Sequence, residues 1–182
     1  MATSIKLSAD ETKNRFGVSI AIENFPSEIT AVEAKNVQTV LSYMEIAYSP
    51  TDNKGTESVK HLCAPNDTFE AVSTFPKAHS AEGYADEHAK VMSALSDLRI
   101  VRFDIVSPKG NFVSLRYTAR GSHNGGPHNG IPATGNSAEW TAAGNFVIDE
   151  ETGKIKHWWK DWDKMRMWKQ LGWVKPQDAE FL

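Results

Sequence analysis

The chain has 182 residues, of which 40% are hydrophobic, and its 20 basic and 23 acidic side chains give a net charge of −3. This length fits one domain with a sizeable core, and the interspersed charge provides no basic surface for nucleic acid or an anionic membrane. Cys63, the single cysteine, cannot form an intramolecular disulfide, and no His/Cys cluster has zinc-site spacing. The first residues lack the apolar core of a signal peptide or membrane span, so we expect a cytoplasmic protein.

The beginning of the chain shows no clear periodicity. We therefore predict an N-terminal extension over residues 1–30 and a single domain over residues 31–182. The first regular element is a helix over residues 30–48, because apolar side chains recur there at the spacing of one helical face. That face consists of Val37, Val40, Leu41, Met44 and Tyr48.

The remaining elements follow from periodicity and from turn residues. Helical spacing predicts a short helix at 57–63, a third helix at 81–98 and a last helix at 164–171 closed by Gly172. Strand-like composition predicts strands at 66–74, 99–106, 111–122, 137–148 and 154–163. Helices gathered before a run of long antiparallel strands predict an α+β fold, in which a curved sheet wraps helices on one side and leaves a cavity between them.

The segment 154–173 contains five of the six tryptophans together with Asp161 and Asp163. If residues 154–163 form a strand, odd positions share one face and Trp158 and Trp162 share the other. A carboxylate set among indole rings loses hydration, and such a group can act as an acid or base near neutral pH. The same residue type also caps helices well, so Asp163 is either a catalytic group or the N-cap of the last helix.

A glycine-rich loop occupies residues 121–135. It lacks the lysine followed by Ser or Thr of a phosphate-binding loop and no helix follows it, so we reject nucleotide binding. Its glycines and prolines instead suit a long connection at the rim of the sheet, where His123 can point into the cavity.

Six short motifs, in order and at consistent spacing, resemble the SnoaL-like polyketide cyclases over roughly residues 36–173. They are Gly-Ser-His at 121–123, Gly-Ile-Pro-Ala-Thr-Gly at 130–135, Thr-Gly-Lys-Ile at 152–155, Trp159, Asp163 and Gln-Leu-Gly at 170–172. This resemblance implies the nuclear-transport-factor-2-like fold, a cone-shaped α+β barrel whose curved, mainly antiparallel sheet wraps the N-terminal helices. It also implies a homodimer or homotetramer assembled through the sheet.

The activity that the resemblance implies is intramolecular aldol ring closure of a hydrophobic, aromatic or polyketide-like substrate in secondary metabolism. It implies no metal and no organic cofactor. Asp163 matches the family's general acid/base, and His123 matches the histidine beside it. Asp163→Asn would then keep the fold and lose nearly all turnover.

Further candidates would line the substrate pocket. Flat apolar walls suit Tyr43, Phe69, Trp140 and Trp159, each of which could equally be ordinary core. His128 is either a solvent-facing loop residue or an additional acid/base group. His157 shares the predicted strand face of Asp163 and could hold or share its proton.

Two other functions are compatible with the same scaffold, because a fold does not fix a reaction. One is a different acid/base enzyme, such as a dehydratase, an epoxide hydrolase or an isomerase. The other is a non-catalytic module that binds a ligand unchanged.

Overall fold

A computed structural model describes residues 4–6, 16–71 and 75–174. The helices are α1 (Ala31–Ala47), α2 (Thr56–Val59), α3 (Ala81–Ala94) and α4 (Lys164–Leu171), with a 3-10 turn at Lys60–Leu62. The strands are β1 (Ser4–Lys6), β2 (Ala21–Ile22), β3 (Glu28–Thr30), β4 (Cys63–Glu70), β5 (Arg99–Lys109), β6 (Phe112–Ser122), β7 (Ser137–Ile148) and β8 (Ile155–Trp162). None of the described helices is long and apolar enough to cross a membrane.

Six strands form one open, curved sheet in the order β2-β5-β6-β7-β8-β4. The three inner pairs are antiparallel, and the outer pairs β2 with β5 and β4 with β8 are parallel. Helix α1 packs against β5 and β6, and α3 packs against β4 and β8. The predicted α+β fold, with a curved and mainly antiparallel sheet around the helices, is confirmed.

Helix α1 forms as the sequence predicts. Val37, Val40, Leu41 and Met44 are fully buried, so the apolar stripe faces the core. The Thr30 side chain accepts a hydrogen bond from the Glu33 backbone while the Glu33 carboxylate accepts from the Thr30 backbone, which is a capping box.

Residues 16–30 contribute to the packing of the core. Phe16, Val18 and Ile29 are buried, although the sequence shows no periodicity around them. Strand β2 extends the large sheet, and β3 pairs with β1 in a separate two-stranded sheet. The division between an extension and a domain at residue 30 stays a prediction.

Several element boundaries differ from the sequence prediction. Cys63 begins strand β4 rather than ending a helix: Ala64, the residue before Pro65, is biased away from helical geometry, and the extended backbone already includes Cys63. Strand β5 continues through Pro108. On the side of β5 away from β6, the described strand β2 pairs only with Arg102 and Phe103, so no strand there requires a backbone N–H from Pro108. The turn falls at Gly110. Residues 72–74, the end of the strand predicted at 66–74, lie outside the described residues.

Helix α3 ends at Ala94, four residues before its predicted end, because the glycine-rich loop folds onto its last turn. The Gly125 N–H donates to the Ala94 carbonyl at 3.0 Å, and the Gly126 N–H donates to the Ser93 carbonyl at 2.8 Å. A Cβ at Gly125 would lie 2.3 Å from the Ser93 carbonyl oxygen. Glycine at this position therefore allows two backbones to approach each other.

Gly125→Ala should destabilise the protein by about 2 kcal/mol or more, since a backbone oxygen cannot move aside as a flexible side chain can. Gly126→Ala is the matched control, because its Cβ would lie 3.6 Å from the same oxygen, an ordinary contact. Urea unfolding measures both. Equal loss in the two variants would show that close packing at Gly125 is not what the loop requires.

Candidate active site

A cavity of about 510 Å³ lies where α3, α4 and two loops meet beyond the end of β8. Its size suits a drug-sized organic molecule. Its apolar walls are Phe75, Val91, Trp162, Met167, Trp168 and Trp173, and its polar rim includes Lys77, Glu87, Lys90, His128, Asn129 and Lys164.

Aromatic rings give the cavity flat walls. The His128 and Trp173 rings stack with centroids 3.8 Å apart and planes 9° apart, and Phe75 and Trp162 stack more loosely at 6.2 Å and 28°. The indole nitrogen of Trp162 has no hydrogen-bond partner among residues 16–71 and 75–174. It can therefore donate to an oxygen of a bound molecule.

A second, much smaller void of about 10 Å³ lies behind the cavity. The two spaces share the side chains of Phe75, Val91, Trp162 and Met167. These four side chains separate the cavity from an inner set of polar groups. That inner set lines the void and comprises Tyr48, His88 and Lys160.

Lys160 is a buried lysine, with 5% of its surface exposed. Its Nζ donates to the Tyr84 hydroxyl at 3.1 Å and lies 4.9 Å from the Phe75 ring and 4.8 Å from the Trp162 ring. In the described part of the chain no carboxylate oxygen lies within salt-bridge distance of it. Burial lowers the pKa of this amine from 10.5 to about 7, so a large fraction is uncharged at neutral pH.

Three tyrosine hydroxyls continue from this amine into the core. Tyr84 donates to Tyr48 at 2.9 Å, and Tyr48 and Tyr117 share a 2.5 Å hydrogen bond. Burial raises the pKa of Tyr48 to about 12 and that of Tyr84 well above 10. The phenols therefore remain protonated at neutral pH and can supply protons.

His88 completes the inner set as a neutral ring. Its Nδ1 donates to the Ala47 carbonyl at 2.7 Å, because a carbonyl can only accept. Burial, and then the charge of nearby Lys160, lower the pKa of His88 to about 3. Lys160 is thus the member of this group that can carry a charge near neutral pH, and His88, Tyr48 and Tyr84 are uncharged there.

The expectation that Asp163 is enclosed among indole rings is wrong. In the second half of β8 the odd positions 157, 159 and 161 face away from the core, and Asp163 lies exposed directly after the strand. Its carboxylate accepts the Arg166 N–H at 3.0 Å, which makes it the N-cap of α4, the alternative that the sequence left open. A catalytic role for Asp163 stays a prediction from the resemblance alone.

His123 is fully buried and holds the loop to the end of the described chain. Its Nδ1 accepts the Trp173 indole N–H at 3.0 Å, and its Nε2 lies 3.1 Å from the Gly126 carbonyl oxygen. An indole can only donate and a carbonyl can only accept, so the ring carries its proton on Nε2 and both nitrogens are bonded. His123 does not line the cavity, and this geometry describes a structural histidine.

The other predicted pocket residues lie in four different places. His128 lies on the cavity rim, and buried Trp140 lies at the inner void. Tyr43 and Phe69 are core residues, and the Tyr43 hydroxyl donates to the Ala81 carbonyl at 2.6 Å.

His157 and Trp159 belong to the opposite, outer face of the sheet. Trp159 is 38% exposed, and His157 contacts Thr68 of the neighbouring strand. The strand alternation explains this placement, because the inward positions of β8 are Trp158, Lys160 and Trp162. A lysine between two inward tryptophans was the signal in the sequence that indicated Lys160.

No cluster for a metal ion is present within the described ranges, where no three His, Cys, Asp or Glu side chains gather closely enough to hold one. The site instead consists of an aromatic cavity, a buried amine and a row of phenols. A cavity of this kind at the end of a curved, mainly antiparallel sheet has the size and lining that suit a small organic molecule.

The chain belongs to the SnoaL-like polyketide cyclase family, whose model matches residues 38–171. No curated protein matches the sequence.

Solved structures share the fold at low identity. A candidate polyketide cyclase from Bacillus cereus superposes with a TM-score of 0.65 and 16% identity, covering 85% of this chain and 92% of that one. IdmH, a candidate polyketide cyclase from Streptomyces antibioticus, has a TM-score of 0.59 and 22% identity, with 75% and 98% covered. AclR, a candidate hydroxylase from Streptomyces galilaeus, has a TM-score of 0.63 and 17% identity, with 79% and 99% covered.

Lys160→Met should stabilise the protein by about 3 kcal/mol at pH 6, because burying a charged amine costs more than its ring contacts and single hydrogen bond return. The pKa of Lys160 is lower in the folded protein than in the unfolded chain. The free-energy cost of burying its charge is therefore complete below about pH 7 and disappears as pH rises toward 10.5. Urea unfolding at pH 6 and pH 10 measures both proteins. A constant difference between them would contradict the burial of a protonated amine.

Proposed function

We propose that this chain is an acid–base enzyme. It would catalyse intramolecular aldol closure, in which a new carbon–carbon bond closes a ring in a flat, polyketide-like carbonyl compound bound in the aromatic cavity. The observation that carries the proposal is the amine of Lys160, which is buried behind that cavity without a carboxylate partner in the described chain. Family membership supports the same class of chemistry. The Lys160–Tyr84 pair replaces Asp163 and His123 as the proton-transferring groups.

Lys160 supplies the base. A neutral amine near pH 7 can remove a proton next to a ketone, and such a base works best when its pKa lies near the operating pH. Its ordinary value of 10.5 would keep nearly all of the amine protonated, so burial provides the active form. The cation formed after proton transfer is stabilised by the four aromatic rings that surround Nζ within 5.9 Å.

Tyr84 supplies the acid. Its hydroxyl accepts from Nζ at 3.1 Å and lies beside the hydroxyl of Tyr48, so it can give a proton to the oxygen of the attacked carbonyl and regain one from the protonated amine. The unpartnered indole N–H of Trp162 is a second donor for the oxyanion. Base and acid lie side by side behind the Phe75 ring, which must turn toward solvent so that a substrate in the cavity reaches both groups.

The cavity supports a flat substrate. Its walls include three tryptophans and one phenylalanine, which offer stacking surfaces to conjugated rings. Holding a flexible polyketone folded between such walls brings its reacting carbons together, which can contribute as much as the proton transfer itself. A substrate with these properties carries several carbonyls on an aromatic body.

Lys160→Met should lower the rate of ring closure by about 10²- to 10⁴-fold, the usual contribution of a positioned acid or base. The probe is 1-phenylhexane-1,3,5-trione, a short aromatic polyketone, followed by mass spectrometry. Aldol closure leaves the mass of the trione unchanged. Dehydration lowers it by the mass of one water, and hydrolysis raises it by the same amount. The rate for the unaltered protein should rise with pH around a midpoint near 7, and the variant should lose this dependence.

Asp163→Asn serves as the comparison variant, because asparagine also caps helices well and should keep α4 in place. We expect the activity of Asp163→Asn to lie within a few-fold of that of the unaltered protein, whereas the family resemblance predicts that this variant loses nearly all turnover. Loss of activity in Asp163→Asn with normal activity in Lys160→Met would overturn the assignment to Lys160. Binding of the trione without turnover by the unaltered protein would favour a ligand-binding module.

A further inference from the structure

The amine of Lys160 can do more than move protons. We propose that it condenses with a ketone of the substrate to form a covalent iminium, so that the chain activates β-dicarbonyl compounds through a lysine-bound enamine. This inference rests on the proposed function for the site and adds a covalent step to it. The class of ligand is an aryl ketone or aryl β-diketone.

The surroundings of Nζ suit a nucleophile. An amine held by a carboxylate stays protonated and cannot attack a carbonyl, and the described residues offer Lys160 no such partner. Its one hydrogen bond, to the Tyr84 hydroxyl, leaves the remaining ammonium positions facing aromatic rings. The uncharged state is therefore the less costly one in this enclosure.

Access requires one ring to move. The void at Lys160 is about 10 Å³ and shares Phe75 and Trp162 with the 510 Å³ cavity. Both rings are only half-buried, and their centroids lie 6.2 Å apart. Rotation of Phe75 toward solvent would join the two spaces and allow a substrate carbonyl to reach Nζ from the cavity.

The chemistry balances without any cofactor. The amine nitrogen forms a bond to the ketone carbon, and the ketone oxygen leaves as water after taking protons from the amine and from the Tyr84 hydroxyl. The Tyr84 phenolate left by this step takes a neighbouring C–H proton from the iminium, and the resulting enamine carbon attacks the second carbonyl, whose oxygen takes the proton back from Tyr84. Water finally hydrolyses the iminium: its oxygen becomes the ketone oxygen, the amine of Lys160 is released, and the remaining proton returns to Tyr84.

The neighbouring groups fit this sequence. Tyr84 is the hydroxyl closest to the nitrogen and stays protonated at neutral pH, so it can protonate the departing oxygen. His88, Tyr48 and Tyr84 are the titratable side chains that face Lys160 from the elements packed on it, and all are uncharged near pH 7. The iminium is then the one positive charge in the enclosure, surrounded by rings that attract cations.

The test is a trapping experiment on the purified full chain with benzoylacetone, an aryl β-diketone that forms a conjugated enaminone with an uncharged lysine. We expect a new long-wavelength absorption and a mass increase equal to the diketone less one water. Peptide mapping should place this increase on Lys160. Borohydride added with an aryl monoketone, 2-acetylnaphthalene, should fix the corresponding imine at the same residue.

The variants make the test specific. Lys160→Met should abolish the enaminone, and exposed Lys156→Met should leave it unchanged, since the Lys156 side chain is 63% exposed and lies near Asp149. Phe75→Ala should accelerate trapping by about tenfold if its ring closes the route to the amine. Diketone modification spread over surface lysines would overturn the inference. Absence of modification at Lys160 in both the unaltered protein and Phe75→Ala would also overturn it.

The two proposals fail separately. No adduct at Lys160, together with ring closure that still depends on Lys160, would leave the amine as a simple base and remove the covalent step. An adduct at Lys160 without ring closure of the trione would keep the reactive amine and remove the cyclase assignment.

Discussion

The chemistry proposed for this protein depends on the cost of placing one lysine amine in a space that excludes water. Lys160 is surrounded by aromatic rings and bonded to one phenol, so the energy that hydration would give the charged form is missing. Cation–π attraction returns part of that energy, but about 1 kcal/mol for a ring contact is less than the desolvation of an ammonium group. Residues that destabilise a protein in this way are concentrated at functional sites.

Two residues that the family resemblance marks as functional have structural roles here. Asp163 begins helix α4, whose Met167 and Trp168 form part of the cavity wall, and His123 joins the glycine-rich loop to Trp173, which forms another part. Both residues therefore determine the shape of the cavity even where they do not enter it. A replacement that removes either set of hydrogen bonds would alter activity through the walls, whereas Asp163→Asn keeps the cap and tests the carboxylate itself.

Local patterns in the sequence predicted much of this fold. The stripe of α1, the limits of β7, and the Asp163 and Gly172 ends of α4 all depend on neighbouring residues. The parallel edge pairs and the burial of Phe16 and Val18 depend on contacts between distant segments, which periodicity does not report. Lys160 was missed because a lysine is normally exposed, although its place between two inward tryptophans indicated otherwise.

The parallel pairing of β4 with β8 has a consequence for how the chain folds. Thr68 and His157 are 89 residues apart in sequence, so this edge closes a long loop, whereas β5, β6, β7 and β8 join neighbour to neighbour. Contacts of such separation are slow to form, and we expect β4 to dock after the antiparallel meander has assembled. Until then the inward tryptophans of β8 have no neighbouring strand on that side, and this edge of the folding intermediate is the one most exposed to association with other chains.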